Sequence, residues 1–226
     1  MSKGVGQMVP PIFSPKPDTT LTLDSSVVIN LDASGQGRAV LSAFKNPIVV
    51  VDVVETEIGR GNRQRRQDKA ALDALVAAGT IAITSLDEDA IQIFESLVIG
   101  PALTTLDDGE AATIAYAVHT GSVAVIDERK ATTLVRSRFP QLVTMSTVDM
   151  FASDSVRSHL GYDLLKEAVF MALVHGRMQV PKIYLNWVIE LIGQERAIQC
   201  LSLPSCLRLT APSDQNPIQH LNDSGL

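Results

Sequence analysis

The chain alternates short apolar runs with longer segments of helical periodicity, and this alternation limits its fold more than any other feature. The apolar runs LTLD, PIVVVD, TIAITSL and SVAVID are rich in β-branched residues, as buried strands are. Helix-length segments lie between them, among them RQRRQDKAALDALVAAG and DEDAIQIFESLVIG. Strands that alternate with helices predict an α/β fold, in which a central parallel sheet carries helices on both faces.

The pattern changes after about Ser146, where helical segments continue without clear strands. LGYDLLKEAVFMALVHG and VPKIYLNWVIELIG have the spacing of amphipathic helices. Both ends of the chain are polar and rich in turn-forming residues. We therefore predict a flexible tail over 1–19, a sheet domain over 20–150, a helical extension packed on it over 151–210, and a second flexible tail over 211–226.

Composition restricts the surroundings and partners of the chain. A net charge of −6 argues against a surface that coats nucleic acid broadly, although a local basic patch can still bind phosphate. No apolar run reaches the roughly 18 to 20 residues of a membrane span, and the first residues lack the apolar core of a signal peptide. These features predict a cytoplasmic protein that does not insert into a membrane. Cys200 and Cys206 are expected to be structural, and the four histidines lack the spacing of metal ligands.

Four acidic residues are expected to meet at one edge of the sheet. Asp24 and Asp127 each end a predicted strand, and open α/β sheets place their ligands at these carboxyl ends. A helix from Glu110 to Gly121 covers about 15 Å, and the next strand returns about 16 Å, so Glu110 and Asp127 lie at the same edge. Glu57 falls in the second turn of the helix after PIVVVD, again on that side.

Each acid also has a purely structural explanation. Asp24 is a possible helix N-cap, and Glu110 could close a capping box that begins at Asp107. Glu55 competes with Glu57, but a step of about 100° per residue puts the two on different helix faces, so only one can point into the cleft. We favour Glu57.

Clustered carboxylates repel one another, and they either take up protons or gather around a cation. A donor set of carboxylate oxygens suits Mg²⁺ or Mn²⁺ better than zinc. Such ions activate water and stabilise the leaving oxygen in phosphodiester hydrolysis. The four acids therefore predict a metal-dependent hydrolase that acts on phosphodiesters.

The segments LTLDSSVVINL, VVETEI, DDGEAATIAYA and VAVIDERKA occur in the order, and near the spacing, of the motifs of PIN-domain nucleases. The chain resembles that family over about residues 20–150. The resemblance implies a PIN-like three-layer α/β/α fold and a ribonuclease that uses Mg²⁺ or Mn²⁺ and a water nucleophile. The metal-binding catalytic acids would be Asp24, Glu57, Glu110 and Asp127, with Asp127 preferred over Glu128.

The resemblance also implies partners. Related toxin-like nucleases suggest an RNA substrate, a homodimer and a small antitoxin that inserts into the acidic cleft. Gly109, immediately before Glu110, departs from the toxin branch. One alternative is a non-catalytic PIN-like module that binds nucleic acid or protein. Another is a phosphatase-like or flavodoxin-like protein, but Gly35 and Gly37 come too late after the first strand to form its phosphate loop.

A basic run follows Glu57 directly in GRGNRQRRQDKAA. Guanidinium groups bind phosphate well, so this run could guide an RNA backbone toward the acids. The residues concerned are Arg60, Arg63, Arg65 and Arg66. A solvated helix face is the commoner meaning of such a run. Tyr184 and Trp187 fall at helical spacing with aliphatic neighbours, which favours core or subunit packing over base stacking.

Overall fold

The computed structural model describes residues 14–60, 63–102 and 104–205, apart from the side chains of residues 63–66. Within these ranges five parallel strands form one sheet in the order β3-β2-β1-β4-β5. The strands are β1 (Leu21–Leu23), β2 (Ile48–Val51), β3 (Ala82–Thr84), β4 (Val123–Val125) and β5 (Thr144–Met145). The predicted α/β fold with a parallel sheet is confirmed.

Helices connect the strands and continue beyond the last one. They are α1 (Ser25–Ala33), α2 (Gly37–Ser42), α3 (Asp52–Gly59), α4 (Arg63–Ala77), α5 (Glu88–Val98), α6 (Asp108–Thr120), α7 (Arg129–Arg138), α8 (Thr147–Ala152), α9 (Asp154–Met171), α10 (Leu185–Ile192) and α11 (Gln194–Ala197). A π-helical turn, Ala172–Gly176, extends α9, and a 3₁₀ turn, Lys182–Tyr184, precedes α10. In the parts of the chain that the structure describes, no helix is long and apolar enough to cross a membrane.

The alternation of side chains along the strands divides the interior into two cores. Leu21 and Leu23 of β1 point to one face, where they pack with α1 to α4 and with the helical extension. Ala124 of β4 and the following Ile126 point to the other face, where they pack with α5, α6 and α7. The molecule therefore has three layers, and the extension shares the first core instead of forming a core of its own.

The ends of α1 and α6 determine where the acids lie at the edge of the sheet. Asp24 caps α1 one residue after β1, and Asp107 caps α6 through the backbone N–H of Glu110. Gly121 ends α6 in the left-handed conformation at φ 69°, which glycine adopts without a steric penalty, and β4 begins two residues later. These short connections leave little freedom in the placement of the acids.

Several details differ from the sequence-based expectations. β5 was not predicted, because two residues are too few to show a periodicity. The segment around residues 14–19 belongs to the predicted N-terminal tail, yet the side-chain amide of Asn46 donates to the carbonyls of Lys16 and Thr19, at 2.6 and 2.7 Å. The rest of the predicted tails, 1–13 and 211–226, and Cys206 lie outside the described residues.

Candidate active site

Asp24 lies at the end of β1, almost buried, with 2% of its surface exposed. Its Oδ2 accepts hydrogen bonds from the backbone N–H and the hydroxyl of Ser26, at 3.2 and 2.6 Å. Its Oδ1 is buried and has no hydrogen-bond partner among the described residues. Burial raises the pKa of Asp24, against the lowering effect of the Ser26 and Ser25 hydrogen bonds. The N-cap of α1 thus uses one carboxylate oxygen and leaves the other for another role.

Asp127 follows β4, the strand next to β1, and is held by three donors. The Asn30 side-chain amide donates to Oδ2 at 2.6 Å, the Thr147 hydroxyl to Oδ2 at 2.6 Å, and the Thr147 backbone N–H to Oδ1 at 2.7 Å. Burial raises the pKa of Asp127 to about 6, although these hydrogen bonds oppose the rise. The carboxyl group is therefore fixed in orientation by α1 and by the start of α8.

Glu110 lies in the first turn of α6 with 7% of its surface exposed. The helix is capped by Asp107, whose side chain accepts from the Glu110 backbone N–H at 3.3 Å. Burial, followed by the charges of Asp107 and Asp24, raises the pKa of Glu110 to about 9. The capping function thus lies with Asp107, while the Glu110 carboxyl group faces other acids.

The two candidate glutamates of α3 point to different surroundings. The Ser25 hydroxyl donates to Glu57 Oε1 at 3.2 Å, beside Asp24. Glu55 instead forms an ion pair with Lys69 Nζ of α4 at 3.3 Å, and both side chains are partly exposed. Both glutamates therefore lie on α3, but the Glu57 side chain lies beside Asp24 at the edge where the strands end, whereas the Glu55 side chain pairs with α4.

Gly109 makes room for this arrangement. A Cβ atom at position 109 would lie 2.0 Å from Glu57 Oε2 and 3.6 Å from Asp24 Oδ1. Any larger residue would have to displace the Glu57 carboxylate. Glycine at position 109 is thus a packing requirement of this acidic site.

The four predicted acids line one cavity of about 260 Å³, which we call the acidic cavity. Two further acids, Asp107 and Glu128, also line it. Its other lining residues are Ser25, Ser26, Ile29, Asn30, Gly176, Arg177 and Gln179. The structure therefore brings the four predicted acids to one cavity, together with Asp107, which the sequence suggested as a helix cap, and Glu128, which was ranked below Asp127.

The residues present fit a hard divalent cation in chemical type. The acids of the cavity offer carboxylate oxygens, one of which, Asp24 Oδ1, is buried without a hydrogen-bond partner in the described ranges. The missing Cβ at Gly109 leaves room for Glu57 Oε2 on the side where Asp24 Oδ1 lies. Across the described residues, however, no three His, Cys, Asp or Glu side chains are grouped closely enough to hold a metal ion. The acids surround the cavity without converging on one point.

A family comparison identifies the domain that contains most of this cavity. The model of the PIN domain matches residues 20–138, which is more than half of the chain. The chain belongs to the PIN-domain family. PIN domains are in general nucleases that use divalent metals, so this chain has a nuclease-like fold suited to binding nucleic acid. No curated protein and no solved structure gives a significant match.

Part of the acidic cavity comes from outside the matched PIN domain. Arg177 and Gln179 belong to the helical extension, and the Gln179 side-chain amide donates to Glu128 Oε2 at 2.8 Å. Thr147, which donates twice to Asp127, also follows the match. These contributions were missed, because sequence spacing cannot show which distant segment folds back onto a site. Asn30 could have been noticed in the sequence, because it is a polar residue in the apolar stretch VVINL. In the structure it is buried and donates to Asp127.

The predicted basic run is only partly described. Arg60 is exposed at the end of α3 and lines a separate cavity of about 370 Å³ with Asp52, Glu57 and Asp108 among others. The side chains of Arg63, Arg65 and Arg66 lie outside the described residues. Its role in RNA binding remains a prediction.

Within the part of the chain that the structure describes, the aromatic, cysteine and histidine residues considered in the sequence do not line the acidic cavity. Tyr184 and Trp187 are 1% and 2% exposed and pack edge to face, with ring centroids 6.2 Å apart. Core packing, rather than base stacking, therefore accounts for both rings. Cys200 is a buried free thiol, and burial raises its pKa to about 11. His119 pairs with Asp87 at 2.7 Å, away from the acidic cavity.

Proposed function

We propose that this PIN domain is a metal-dependent endoribonuclease that hydrolyses RNA phosphodiester bonds with Mg²⁺ or Mn²⁺. The observation that carries the proposal is the acidic cavity, which acids from four separate segments line at the edge of the sheet where the strands end. Buried carboxyl groups with raised pKa values are costly to ionise unless a cation compensates for them. A divalent ion that displaces their protons would relieve that cost.

Asp24, Glu57, Glu110 and Asp127 are the residues that would hold the ion. Asp24 offers its unpartnered Oδ1, and Ser26 holds the other oxygen in place. Asn30 and Thr147 fix the orientation of Asp127. When bound, the ion supplies a nucleophilic water at neutral pH and stabilises charge on the leaving oxygen. A hydrolysis of this kind needs no covalent intermediate with the protein.

Calorimetric titration with Mn²⁺ tests the site apart from the reaction. Binding should be lost or strongly weakened in Asp24→Asn, because the substitution removes a buried anionic oxygen while retaining shape. Glu55→Gln is the matched control: it also removes a carboxylate of the same region, yet Glu55 pairs with Lys69 outside the cavity. Equal Mn²⁺ affinity in parent and Asp24→Asn would refute the metal site.

Cleavage of single-stranded RNA and of a DNA of the same sequence tests the reaction. Parent protein should cleave internal bonds of the RNA with Mn²⁺ and should lose this activity in EDTA. If the parent binds RNA but cleaves nothing under any metal, the non-catalytic alternative is correct. If the parent protein cleaves the DNA but not the RNA, its substrate is DNA and the proposed ribonuclease activity is wrong.

The proposal includes partners that the family resemblance implies. In a toxin-like role, the chain would form a homodimer, and a small antitoxin would insert into the acidic cavity and block it. Light scattering measures the dimer directly. Co-expression with the product of a neighbouring small reading frame should suppress RNA cleavage. The complex should also bind Mn²⁺ more weakly than the free protein, because the antitoxin would fill the acidic cavity.

A further inference from the structure

A second cavity continues from the acidic cavity along the surface. It has a volume of about 720 Å³, and it shares Asp127 and Gln179 with the acidic cavity. α7 lines one side, and the segment from Gln179 through the 3₁₀ turn lines the other. We call it the basic groove, after its cationic residues Arg129, Arg136 and Lys182.

The three cations of the basic groove are exposed and form no ion pair within the described part of the chain. The sequence of α7, RKATTLVRSR, contains four cations and no acid, although the whole chain carries a net charge of −6. Arg138 and Lys130 of α7 donate to Ser96 and to the Ala102 carbonyl. By contrast, Arg129, Arg136 and Lys182 make no side-chain hydrogen bond or ion pair with any described residue.

The two acids that line the basic groove, Asp127 and Asp149, form no ion pair with these cations, and their oxygens accept hydrogen bonds from neutral donors instead. Asp149 Oδ1 accepts from the Tyr184 hydroxyl at 2.5 Å, and its Oδ2 accepts from the Ser146 hydroxyl and backbone N–H, at 2.5 and 2.7 Å. Asp127 is held by Asn30 and Thr147. Exposed cations that line one groove and form no ion pair with a described residue suit a polyanion whose charges repeat along its length.

A further cation, Arg177, lies where the helical extension lines the acidic cavity. Arg177 lines that cavity, is exposed, and makes no side-chain bond with any described residue. Its backbone is left-handed at φ 58°, an uncommon conformation for a residue with a side chain. Gly176 before it lies so close to α1 that a Cβ would be 2.3 Å from Asn30 Oδ1. The turn therefore holds its arginine at the cavity despite the conformational cost.

We propose that the basic groove binds the phosphodiester backbone of the RNA strand on one side of the cleavage point, with Arg177 at the junction to the acidic cavity. The proposal rests on the proposed ribonuclease function and names the path of its substrate. The groove runs along α7 and the extension, on a different side of Asp127 from the predicted run at Arg60. Contacts to phosphates require no particular base sequence, so the groove could bind single strands of any sequence.

Binding of a labelled single-stranded RNA to the full chain in EDTA, measured by fluorescence anisotropy at several salt concentrations, tests the groove without cleavage. The test variant is the triple substitution Arg129→Gln, Arg136→Gln and Lys182→Gln. Each lost phosphate contact should change the slope of log K against log[salt] by about 0.7, so the triple variant should have a slope shallower by about 2.1. These side chains are exposed, so the melting temperature should change little.

The matched control removes the same charge elsewhere, through Arg38→Gln, Lys45→Gln and Arg157→Gln. If this control flattens the slope as much as the groove variant does, net charge rather than the groove governs binding, and the proposal is overturned. An unchanged slope in the groove variant also overturns it. A groove variant that keeps its RNA slope but loses binding of an acidic peptide would assign the surface to a protein partner instead.

The failure of this proposal can be told apart from the failure of the nuclease. If parent protein cleaves RNA and the groove variant binds it normally, the groove is refuted and the ribonuclease stands. If parent protein never cleaves RNA but loses binding through the groove substitutions, the groove stands as a binding surface and the nuclease is refuted. If the ribonuclease activity and the RNA-binding role of the groove are both correct, the groove variant should raise KM for RNA by more than it lowers kcat.

Discussion

The acidic cavity and the basic groove share two residues, yet they carry opposite charge in opposite environments. In the cavity, Asp24 and Glu110 are buried, and desolvation raises the pKa values of Asp24, Glu110 and Asp127. In the groove, cations are exposed and make no ion pair with described residues. Burial makes the cavity charges costly, whereas exposed charges contribute little to stability. The cavity should therefore govern catalysis and stability, and the groove should govern affinity and salt dependence.

The largest effect is expected from replacing one acid of the cavity. Glu57→Gln should lower RNA cleavage by more than about a hundredfold, since outer partners of metal ligands alone are worth about 10- to 100-fold. RNA affinity in EDTA should fall little, because the groove is intact. Single-turnover cleavage at saturating protein measures the first quantity, and anisotropy measures the second.

Glu55→Gln is the control for Glu57→Gln, because it lies two positions away and pairs with Lys69. Its cleavage rate should stay close to that of the parent. A large loss of cleavage in Glu55→Gln, with Glu57→Gln active, would reverse the assignment of the two glutamates.

The next effect concerns stability in the absence of metal. The pKa of Glu110 rises from an ordinary value of 4.5 to about 9, so the folded chain retains a proton that the unfolded chain releases. The free energy of unfolding should therefore fall as pH rises from about 4.5 to 9. Between pH 5 and 7, Glu110 alone should account for a fall of about 3 kcal/mol.

Glu110→Gln removes this titrating group and keeps Asp107 as the helix cap. Urea unfolding in EDTA should show a shallower fall for Glu110→Gln than for the parent over that pH range, and a higher stability at pH 7. The residual fall below about pH 6 belongs partly to Asp127, whose pKa is raised from 3.8 to about 6. Identical pH profiles in parent and Glu110→Gln would contradict the buried position of this carboxyl group.

A smaller effect on catalysis is expected from Gly109→Ala. The new Cβ would lie 2.0 Å from Glu57 Oε2, so the carboxylate must move by about 1 Å or more, and a displacement of that size costs about 10- to 100-fold in rate. Stability should change little, because the atom that the new Cβ meets is the far end of the Glu57 side chain, which can move.

Gly59→Ala is the control for this steric argument. Its Cβ would meet only the Lys69 side chain at 3.8 Å, an ordinary contact. Parent-like cleavage in Gly59→Ala together with reduced cleavage in Gly109→Ala would support the argument. If Gly109→Ala cleaves RNA at the parent rate, the close approach of Glu57 has no catalytic role.

The sequence predicted those parts of the site that follow from local geometry. Parallel strands end at one edge, so Asp24 and Asp127 could be placed together, and the length of α6 returned Glu110 to the same edge. The 100° step between helix residues separated Glu57 from Glu55. The remainder depends on long-range packing. Nothing in the spacing of the extension shows that the segment from Gly176 to Gln179 folds back onto the acids.

The cationic side of the molecule illustrates the same limit. A run of arginines in GRGNRQRRQDKAA attracts attention because its charges are adjacent in sequence. The basic groove escapes notice because Lys182 lies far along the chain from Arg129 and Arg136, and the charges become neighbours only in the folded chain. Lys69 shows the reverse case: it belongs to the conspicuous run, yet it pairs with Glu55 and Asp73.

The smallest effect is expected from Arg60, which allows the two basic regions to be compared directly. Arg60 is exposed beside Glu57, and if RNA also passes there, Arg60→Gln should flatten the salt slope by about 0.7. Adding Arg63→Gln should bring the change to about 1.4. A strand bound on both sides of the acids would make the effects of Arg60→Gln and the groove variant additive, because the sites are separate. If Arg60→Gln leaves the slope unchanged while the groove variant flattens it, RNA approaches the acids from the extension side alone, and the run after α3 serves as a solvated helix face.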